Sequence, residues 1–274
     1  MNNPLTKRKG AALILAILPV MFLSSCSVKE RRDDCPSYLT LDLREKTFPS
    51  VHLTATSPEV ETLIEDRIPP SENGAFSMYR YRIPKGENGV CVFSPGKNSS
   101  ISEEAILLRE GFPMDSLYGD FSSIPFLEES VYHKPIFHKQ FSTIDLIMAL
   151  DEKKRGAPLP SGLEVRVTIG VKGVSKLDLS PLEGRVSFPV SFSEENHSYR
   201  FAVPRVGSEE FFAEILSSEG KVVSTVDLRE ILLQAGFPWE EKDLPDARIV
   251  SDKATGSFSV AISSWGHRSI EIVL

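Results

Sequence analysis

Alternating apolar and polar residues recur through most of the chain after residue 37 and predict β-strands. In residues 38–43, the side chains of Leu39, Leu41 and Leu43 fall on one face of an extended segment. Residues 163–169 repeat this pattern with equal regularity. Further strand candidates are residues 51–56, 75–83, 89–94, 137–150, 186–192, 199–203, 211–216, 222–226, 256–265 and 269–274. Because glycine and proline separate these short runs, we expect an all-β chain.

Two segments depart from alternation and predict short helices. Residues 102–111 begin with a serine that can cap a helix, continue with acidic residues and end in glycine. Residues 227–235 begin with Asp227 as the N-cap, place Ile231 and Leu232 inward, and are followed by a glycine. We therefore expect short helical insertions in an otherwise β-sheet protein.

A charged stretch followed by glycines and prolines separates two blocks of strand-like sequence at residues 151–162. Such polar, turn-rich segments are typical of domain boundaries. We therefore predict two tandem β-sandwich domains, with the N-terminal sandwich over residues 37–155 and the C-terminal sandwich over residues 156–274.

The N-terminus has the pattern of a lipoprotein signal peptide over residues 1–25. Three basic residues precede an apolar run at 11–22, and residues 23–26 read Leu-Ser-Ser-Cys. The apolar run is too short to cross a hydrocarbon layer of about 30 Å as a helix. We expect cleavage before Cys26, with lipid on its sulfur and a charged tether over residues 26–36. The alternative is an ordinary secretory signal with a chance cysteine.

The chain is acidic, with a formal net charge of −7, and removing residues 1–25 takes away three more positive charges. A nucleic-acid surface needs clustered lysine and arginine, so this balance argues against a nucleic-acid partner. It also argues against electrostatic adhesion to anionic lipids. Attachment to a membrane would therefore come from the lipid on Cys26.

Two cysteines remain once Cys26 carries lipid, namely Cys35 and Cys91. An exported chain meets an oxidising environment, which favours a disulfide between them. Such a bridge would pin the tether to the first domain. The alternative is two free thiols, with Cys91 buried in an apolar run.

The order of several motifs resembles a known family. After the lipobox cysteine and the tether comes Cys-Pro-x-Tyr-Leu-Thr-Leu-Asp-Leu at 35–43, and later Gly-Phe-Pro-Trp at 236–239. Lys-Asp-Leu-Pro-Asp-Ala-Arg-Ile at 242–249 and a strand ending in Trp265 complete the order. The chain is similar over nearly its whole length to the FimB-like fimbrial anchor lipoproteins of the Bacteroidales type V pilus. The resemblance implies transthyretin-like sandwiches, lipid at Cys26, a place in the outer membrane at the base of a pilus, and a fimbrial stalk pilin as the partner.

The resemblance also implies roles for both ends of the mature chain. Stalk subunits of this pilus lose an N-terminal strand to an arginine-specific protease, and a neighbour's C-terminal strand fills the groove. Here Arg44 follows the first strand, and cleavage there would separate the lipid from the fold, so we expect the strand to stay attached. The candidate donor strand is apolar at Ile270, Ile272 and Leu274. The alternative is that this strand completes its own domain's sheet.

Catalytic motifs are incomplete in this sequence. Neither Gly-x-Ser-x-Gly nor His-Glu-x-x-His occurs, and His133 and His138 have no third ligand at a suggestive spacing. We expect no catalytic residues, no metal and no cofactor. The alternative function is a surface-exposed adhesin or glycan-binding lipoprotein, including a pilus tip or accessory subunit, that uses the aromatic residues at 237–239.

Overall fold

The computed structural model describes residues 35–58, 63–149, 158–207, 210–252, 257–263 and 270–273. The strands are β1 (Ser37–Asp42), β2 (Val51–Thr56), β3 (Ile64–Ile68), β4 (Met78–Ile83), β5 (Gly86–Pro95), β6 (Ser99–Ile101), β7 (Ala105–Leu108), β8 (Leu117–Phe126), β9 (Ser130–His133), β10 (His138–Lys139), β11 (Phe141–Ala149), β12 (Leu163–Ser175), β13 (Pro181–Val190), β14 (Phe192–Ser193), β15 (Ser198–Pro204), β16 (Phe211–Ser217), β17 (Val222–Asp227), β18 (Asp246–Asp252), β19 (Ser257–Ser263) and β20 (Ile270–Val273). Helix α1 spans Leu228–Gln234. The expected all-β class is confirmed. The signal peptide, Cys26 and nearly all of the tether lie outside the described residues.

Two sheets form the N-terminal sandwich. Sheet I has the order β4-β1-β9, and sheet II has the order β10-β8-β5-β2-β3. Their facing side chains form one apolar core, to which β1 contributes Leu39 and Leu41 and β2 contributes Val51 and Leu53. The alternation seen in the sequence therefore places the leucines of β1 inside this sandwich, because alternate side chains of a strand share one face.

Two larger sheets form the C-terminal sandwich. Sheet III has the order β14-β15-β11-β18-β19-β20, and sheet IV has the order β17-β16-β12-β7-β6, with β13 also paired to β12. Their core includes Ile144, Val167 and Ile249, each fully buried. Among the described residues, no helix has the length and apolar character needed to cross a membrane.

Strand pairing divides the chain at a different place from the predicted boundary. Strand β11 precedes residue 151, yet it pairs with β15 and β18 in sheet III. The hairpin of β6 and β7 also joins β12 in sheet IV. The limits predicted at 37–155 and 156–274 are therefore wrong for these segments. The turn-rich stretch around residue 158 connects two strands of the C-terminal sandwich, not two domains.

Strand β5 presents its two faces to different cores. Val90 and Val92 belong to the core between sheets I and II, whereas Cys91 and Phe93 belong to the core of the C-terminal sandwich. Cys35 lies exposed just before β1, and both cysteines are free thiols in the structure. The structure therefore does not contain the disulfide between Cys35 and Cys91 that the sequence favours. The Cys91 side chain points away from the sheet that carries Cys35, so the two sulfurs face different parts of the molecule.

The helix predicted at residues 102–111 is wrong, and the helix predicted at residues 227–235 is confirmed. Within residues 102–111, Ser102 closes a tight turn between β6 and β7, with its hydroxyl accepting from the Ala105 amide at 3.1 Å. A serine hydroxyl that caps a helix makes the same local bond, and here the pairing of β7 with β12 decides for a strand. Helix α1 has Asp227 as its N-cap, accepting from the Glu230 amide at 2.9 Å.

Candidate functional site

Strand β1 is the first described element after the tether and lies in the middle of sheet I. It pairs antiparallel with β4 and parallel with β9, so both of its backbone edges are hydrogen-bonded. The Tyr38 amide extends this pairing by donating to the Glu129 carbonyl at 3.0 Å. Leu39 and Leu41 are fully buried. A load applied at the N-terminus would therefore reach the core through a strand held on both sides.

An acid–arginine contact joins Asp42, the last residue of β1, to Arg44 just after the strand. Asp42 Oδ1 accepts from the Arg44 backbone amide at 3.1 Å and from Arg44 Nε at 3.0 Å. Asp42 Oδ2 accepts from Arg44 Nη2 at 2.8 Å and also from the Tyr132 hydroxyl. The Asp42 side chain is 5% exposed, whereas the Arg44 side chain is 60% exposed. We call Asp42, Arg44 and Tyr132 the Arg44 clasp.

Electrostatics keep the Arg44 clasp charged. Hydrogen bonds from Arg44 and Tyr132 hold the pKa of Asp42 well below its usual range, and the hydrogen bond to Asp42 raises the pKa of Arg44. The Tyr132 pKa is raised by its hydrogen bond to Asp42. A carboxylate that receives several donors stays ionised at neutral pH. Arg44, the predicted protease-site residue, is exposed at the surface, and its guanidinium is hydrogen-bonded to the ionised Asp42 carboxylate.

The C-terminal strand β20 lies at the edge of sheet III. It pairs antiparallel with β19, with Ile270 opposite Ile262 and Ile272 opposite Val260. Leu274 lies outside the described residues. Within the part of the chain that the structure describes, no strand pairs with the other edge of β20. An unpaired strand edge offers backbone donors and acceptors to an added strand. The donor-strand role of Ile270, Ile272 and Leu274 stays a prediction.

The structure separates the residues that the sequence singled out. Arg44 follows a strand of sheet I, whereas β20 belongs to sheet III, so the two candidate assembly segments lie in different sandwiches. Asp42 could have been suspected from its position two residues before Arg44. Tyr132 could not, because its contact with Asp42 joins residues 90 positions apart.

His133 and His138, the two histidines considered above as metal ligands, each pair with a different carboxylate. His133 Nε2 is 3.0 Å from Asp120 Oδ2, and His138 Nδ1 is 2.9 Å from Asp243 Oδ2. In the described ranges, no three or more His, Cys, Asp and Glu residues are grouped so that they could hold a metal. Each histidine therefore joins one strand to a neighbouring segment.

The aromatic residues at 237–239 have two environments. Phe237 is 6% exposed and belongs to the core of the C-terminal sandwich. Its ring lies 4.5 Å from that of Trp239, which in turn meets Phe211 at 6.4 Å between ring centroids. Trp239 is only partly buried and lines a cavity of about 580 Å³. The cluster packs against the core of the C-terminal sandwich and leaves one aromatic side chain, Trp239, at a concave surface.

Comparison with known proteins gives similarity in structure alone. No protein-family model matches the sequence, and no curated protein matches it at a significant level. The fimbrial anchor protein Mfa2 from Porphyromonas gingivalis superposes with a TM-score of 0.59 at 11% identity, over 86% of this chain and 100% of that chain. A candidate polysaccharide-binding protein from Bacteroides thetaiotaomicron gives 0.56 at 9% identity, over 86% and 98%.

A third solved structure, a candidate adhesin from Bacteroides ovatus, gives a TM-score of 0.53 at 11% identity, over 90% of this chain and 97% of that chain. In all three comparisons the similarity covers nearly the full length of both proteins. At such low identities the similarity establishes a common fold. The fold expected from the resemblance to fimbrillin-like lipoproteins is thereby confirmed.

Proposed function

We propose that this chain is a lipid-anchored fimbrial subunit. It attaches a pilus to the outer membrane through lipid on Cys26 and joins the first pilin by β-strand addition. It has no catalytic role and its partners are the membrane and a stalk pilin. The lipobox at residues 23–26 and the fold in common with a fimbrial anchor protein support this proposal.

The position of β1 is the observation that carries the proposal. An anchor must transmit force from its lipid to the rest of the protein without unfolding. Cys26 precedes β1 by a short charged tether, and β1 is hydrogen-bonded to β4 and β9 on its two edges. Pulling along a central strand loads many of these hydrogen bonds together, although each contributes only about 1 kcal/mol net. This arrangement suits a permanent mechanical attachment.

The Arg44 clasp supports an anchor whose first strand is retained. An arginine-specific protease must accept the arginine side chain in an extended form. In this protein the Arg44 guanidinium is folded onto Asp42 with Nη2 at 2.8 Å from Oδ2. Cleavage would require breaking these charge-assisted hydrogen bonds first. The intact strand keeps the lipid joined to the sandwich.

Strand addition is supported at the other end of the molecule. Strand β20 closes sheet III at an edge, where an incoming pilin strand can pair with its backbone. Alternatively, β20 can leave its own sheet and enter a pilin. Both modes join two subunits by backbone pairing through β20, which belongs to a different sandwich from β1.

The test compares Cys26→Ala with Cys35→Ala in a piliated strain at parental expression. Cys35 is an exposed free thiol close to Cys26 in sequence, so its replacement is a matched control. We expect Cys26→Ala to release intact pili into the culture medium, because the lipid is lost. Cys35→Ala should leave the pili on the cells. Pili that stay attached in Cys26→Ala, while this protein alone is released, would overturn the proposal.

A further inference from the structure

Two neighbouring concavities share residues on the C-terminal sandwich. The larger has a volume of about 580 Å³ and is bordered by helix α1 and the segment at 237–239. The smaller has a volume of about 300 Å³ and lies between sheet II and the C-terminal sandwich. Pro181 and Glu240 line both. We call the combined surface the Trp239 groove. Its size is in the range of sites for small organic ligands.

One wall of the Trp239 groove is aromatic and fixed in orientation. Trp239 lines the larger concavity beside Pro238. Its ring is held from behind by Phe237 at 4.5 Å and by Phe211 at 6.4 Å. Leu233 of α1 adds an apolar side chain that is 62% exposed. A ligand would therefore meet an ordered apolar wall, which reduces the entropy lost on binding.

Polar side chains line another part of the Trp239 groove. Arg205 and Gln140 line the smaller concavity and Glu240 lines both. Arg205 Nη2 donates to the Glu241 carbonyl at 2.8 Å, whereas its buried Nη1 has no hydrogen-bond partner among the described residues. Because this Nη1 is shielded from solvent, the polar contacts that the groove offers come from the Glu240 carboxylate and the Gln140 amide. Amide and carboxylate groups together supply both donors and acceptors.

The charges of the Trp239 groove nearly balance. The acidic lining residues are Asp120, Asp178, Glu183 and Glu240, and the basic ones are Arg205, Arg229 and Lys242. A strongly anionic or cationic ligand would meet groups of its own sign as often as opposite ones. The lining therefore favours a neutral ligand with many hydroxyl groups and an apolar face.

We infer that the Trp239 groove binds a neutral oligosaccharide. A sugar ring carries C–H groups on its faces, which pack against an aromatic ring such as that of Trp239. Its hydroxyls both donate and accept, which matches the carboxylate of Glu240 and the amide of Gln140. This binding site lies apart from β1 and does not depend on the proposed anchoring function.

The test measures binding of the mature chain to immobilised neutral gluco-, manno-, xylo- and chito-oligosaccharides. Trp239→Ala should weaken binding to the recognised sugar about tenfold, because the stacking surface is lost. Glu240→Gln should weaken it about threefold through a changed hydrogen bond, and it removes no packing. The matched control is Phe112→Ala, which removes a 44% exposed aromatic residue that stacks on Arg109 outside the groove.

Trp239 packs on core residues, so Trp239→Ala can fail to fold. In that case, the sugar affinities of Glu240→Gln and Gln140→Ala test the inference. Binding to none of the neutral sugars, binding only to an anionic glycan or a peptide, or equal binding by the groove variants and the parent would overturn the inference. Cell attachment of pili should be unchanged in Glu240→Gln. The two proposals can therefore fail separately. The Cys26→Ala test can overturn anchoring while the groove still binds sugar, and the groove can fail to bind sugar while the lipid still anchors the pilus.

Discussion

The ammonium of Lys176 lies 2.8 Å from the Glu65 carboxylate and connects the two sandwiches. Lys176 follows β12 in sheet IV, and Glu65 belongs to β3 in sheet II. The Lys176 side chain is 1% exposed, whereas that of Glu65 is 52% exposed. The Ser102 carbonyl also accepts from Lys176 Nζ at 3.1 Å. The pair is therefore asymmetric, since only one of its members has lost its water.

This asymmetry predicts unequal effects of removing either partner. Glu65→Ala should lower the free energy of unfolding by about 1–3 kcal/mol, because it leaves a buried ammonium with one carbonyl acceptor. Lys176→Met should cost less than about 1.5 kcal/mol, because it fills the space and leaves Glu65 to water. Urea unfolding measures both. Glu87→Ala, which removes an exposed carboxylate bonded to Ser123, is the control. A larger loss in Lys176→Met would contradict this account.

The Arg44 clasp predicts protection against arginine-specific proteolysis. In Asp42→Asn the carboxylate is lost, so we expect trypsin to cut after Arg44 roughly tenfold faster. Mass spectrometry of the fragment that begins at Glu45 measures this rate. Asp66→Asn is the matched control, because Asp66 also accepts from a tyrosine, Tyr81 at 2.7 Å, and no arginine hydrogen bond to Asp66 is found in the described residues. Equal cleavage in both variants would show that the clasp gives no protection.

The two cysteines should differ in reactivity. In a Cys26→Ala chain, we expect one thiol to react with a thiol reagent in the native state and two after denaturation. Cys35 is exposed, whereas burial raises the pKa of Cys91 and removes it from solvent. Cys35→Ser should leave no reactive thiol in the native protein. Absence of both thiols from the denatured chain would restore the disulfide that the sequence favours.

Removal of residues 270–274 should abolish joining to a pilin and leave the protein folded. Strand β20 is at a sheet edge, and β19 keeps its pairing with β18 from Ser257 to Ser263 without it. Co-purification with the pilin measures joining, and circular dichroism measures folding. The control is Val223→Lys on β17, an edge strand of sheet IV where Val223 is 60% exposed. If Val223→Lys alone prevents joining, the junction uses β17.

His52 should make stability depend on pH. Burial, and then the nearby Arg67, lower the pKa of His52 in the folded protein. The unfolded chain then binds the proton more readily, so the free energy of unfolding should fall as the pH drops below about 6.5. His52→Gln should show a smaller fall between about pH 7 and pH 5. His197→Asn, at an exposed position, should behave like the parent. An unchanged pH profile in His52→Gln would contradict the assignment.

Local sequence determined the strands and the helix whose apolar residues recur at the spacing typical of that element. The leucines of β1 alternate in the sequence and are buried together in the structure. Helix α1 was predictable because its N-cap, its inward residues and the following glycine all lie within a few positions of one another. These features depend on neighbours in the chain, so the sequence by itself determined the all-β class and most of its strands.

Tertiary structure decided what depends on distant partners. Ser102 can begin a helix or close a hairpin with the same hydrogen bond, and only pairing with β12 selects the hairpin. Cys91 and Val92 are adjacent, yet they face different cores, so no local pattern excludes the disulfide. Tyr132 reaches Asp42 only because β9 pairs with β1. The strand pairings, the Arg44 clasp and the Trp239 groove thus depend on how sheets pack, because packing brings together residues that the chain keeps far apart.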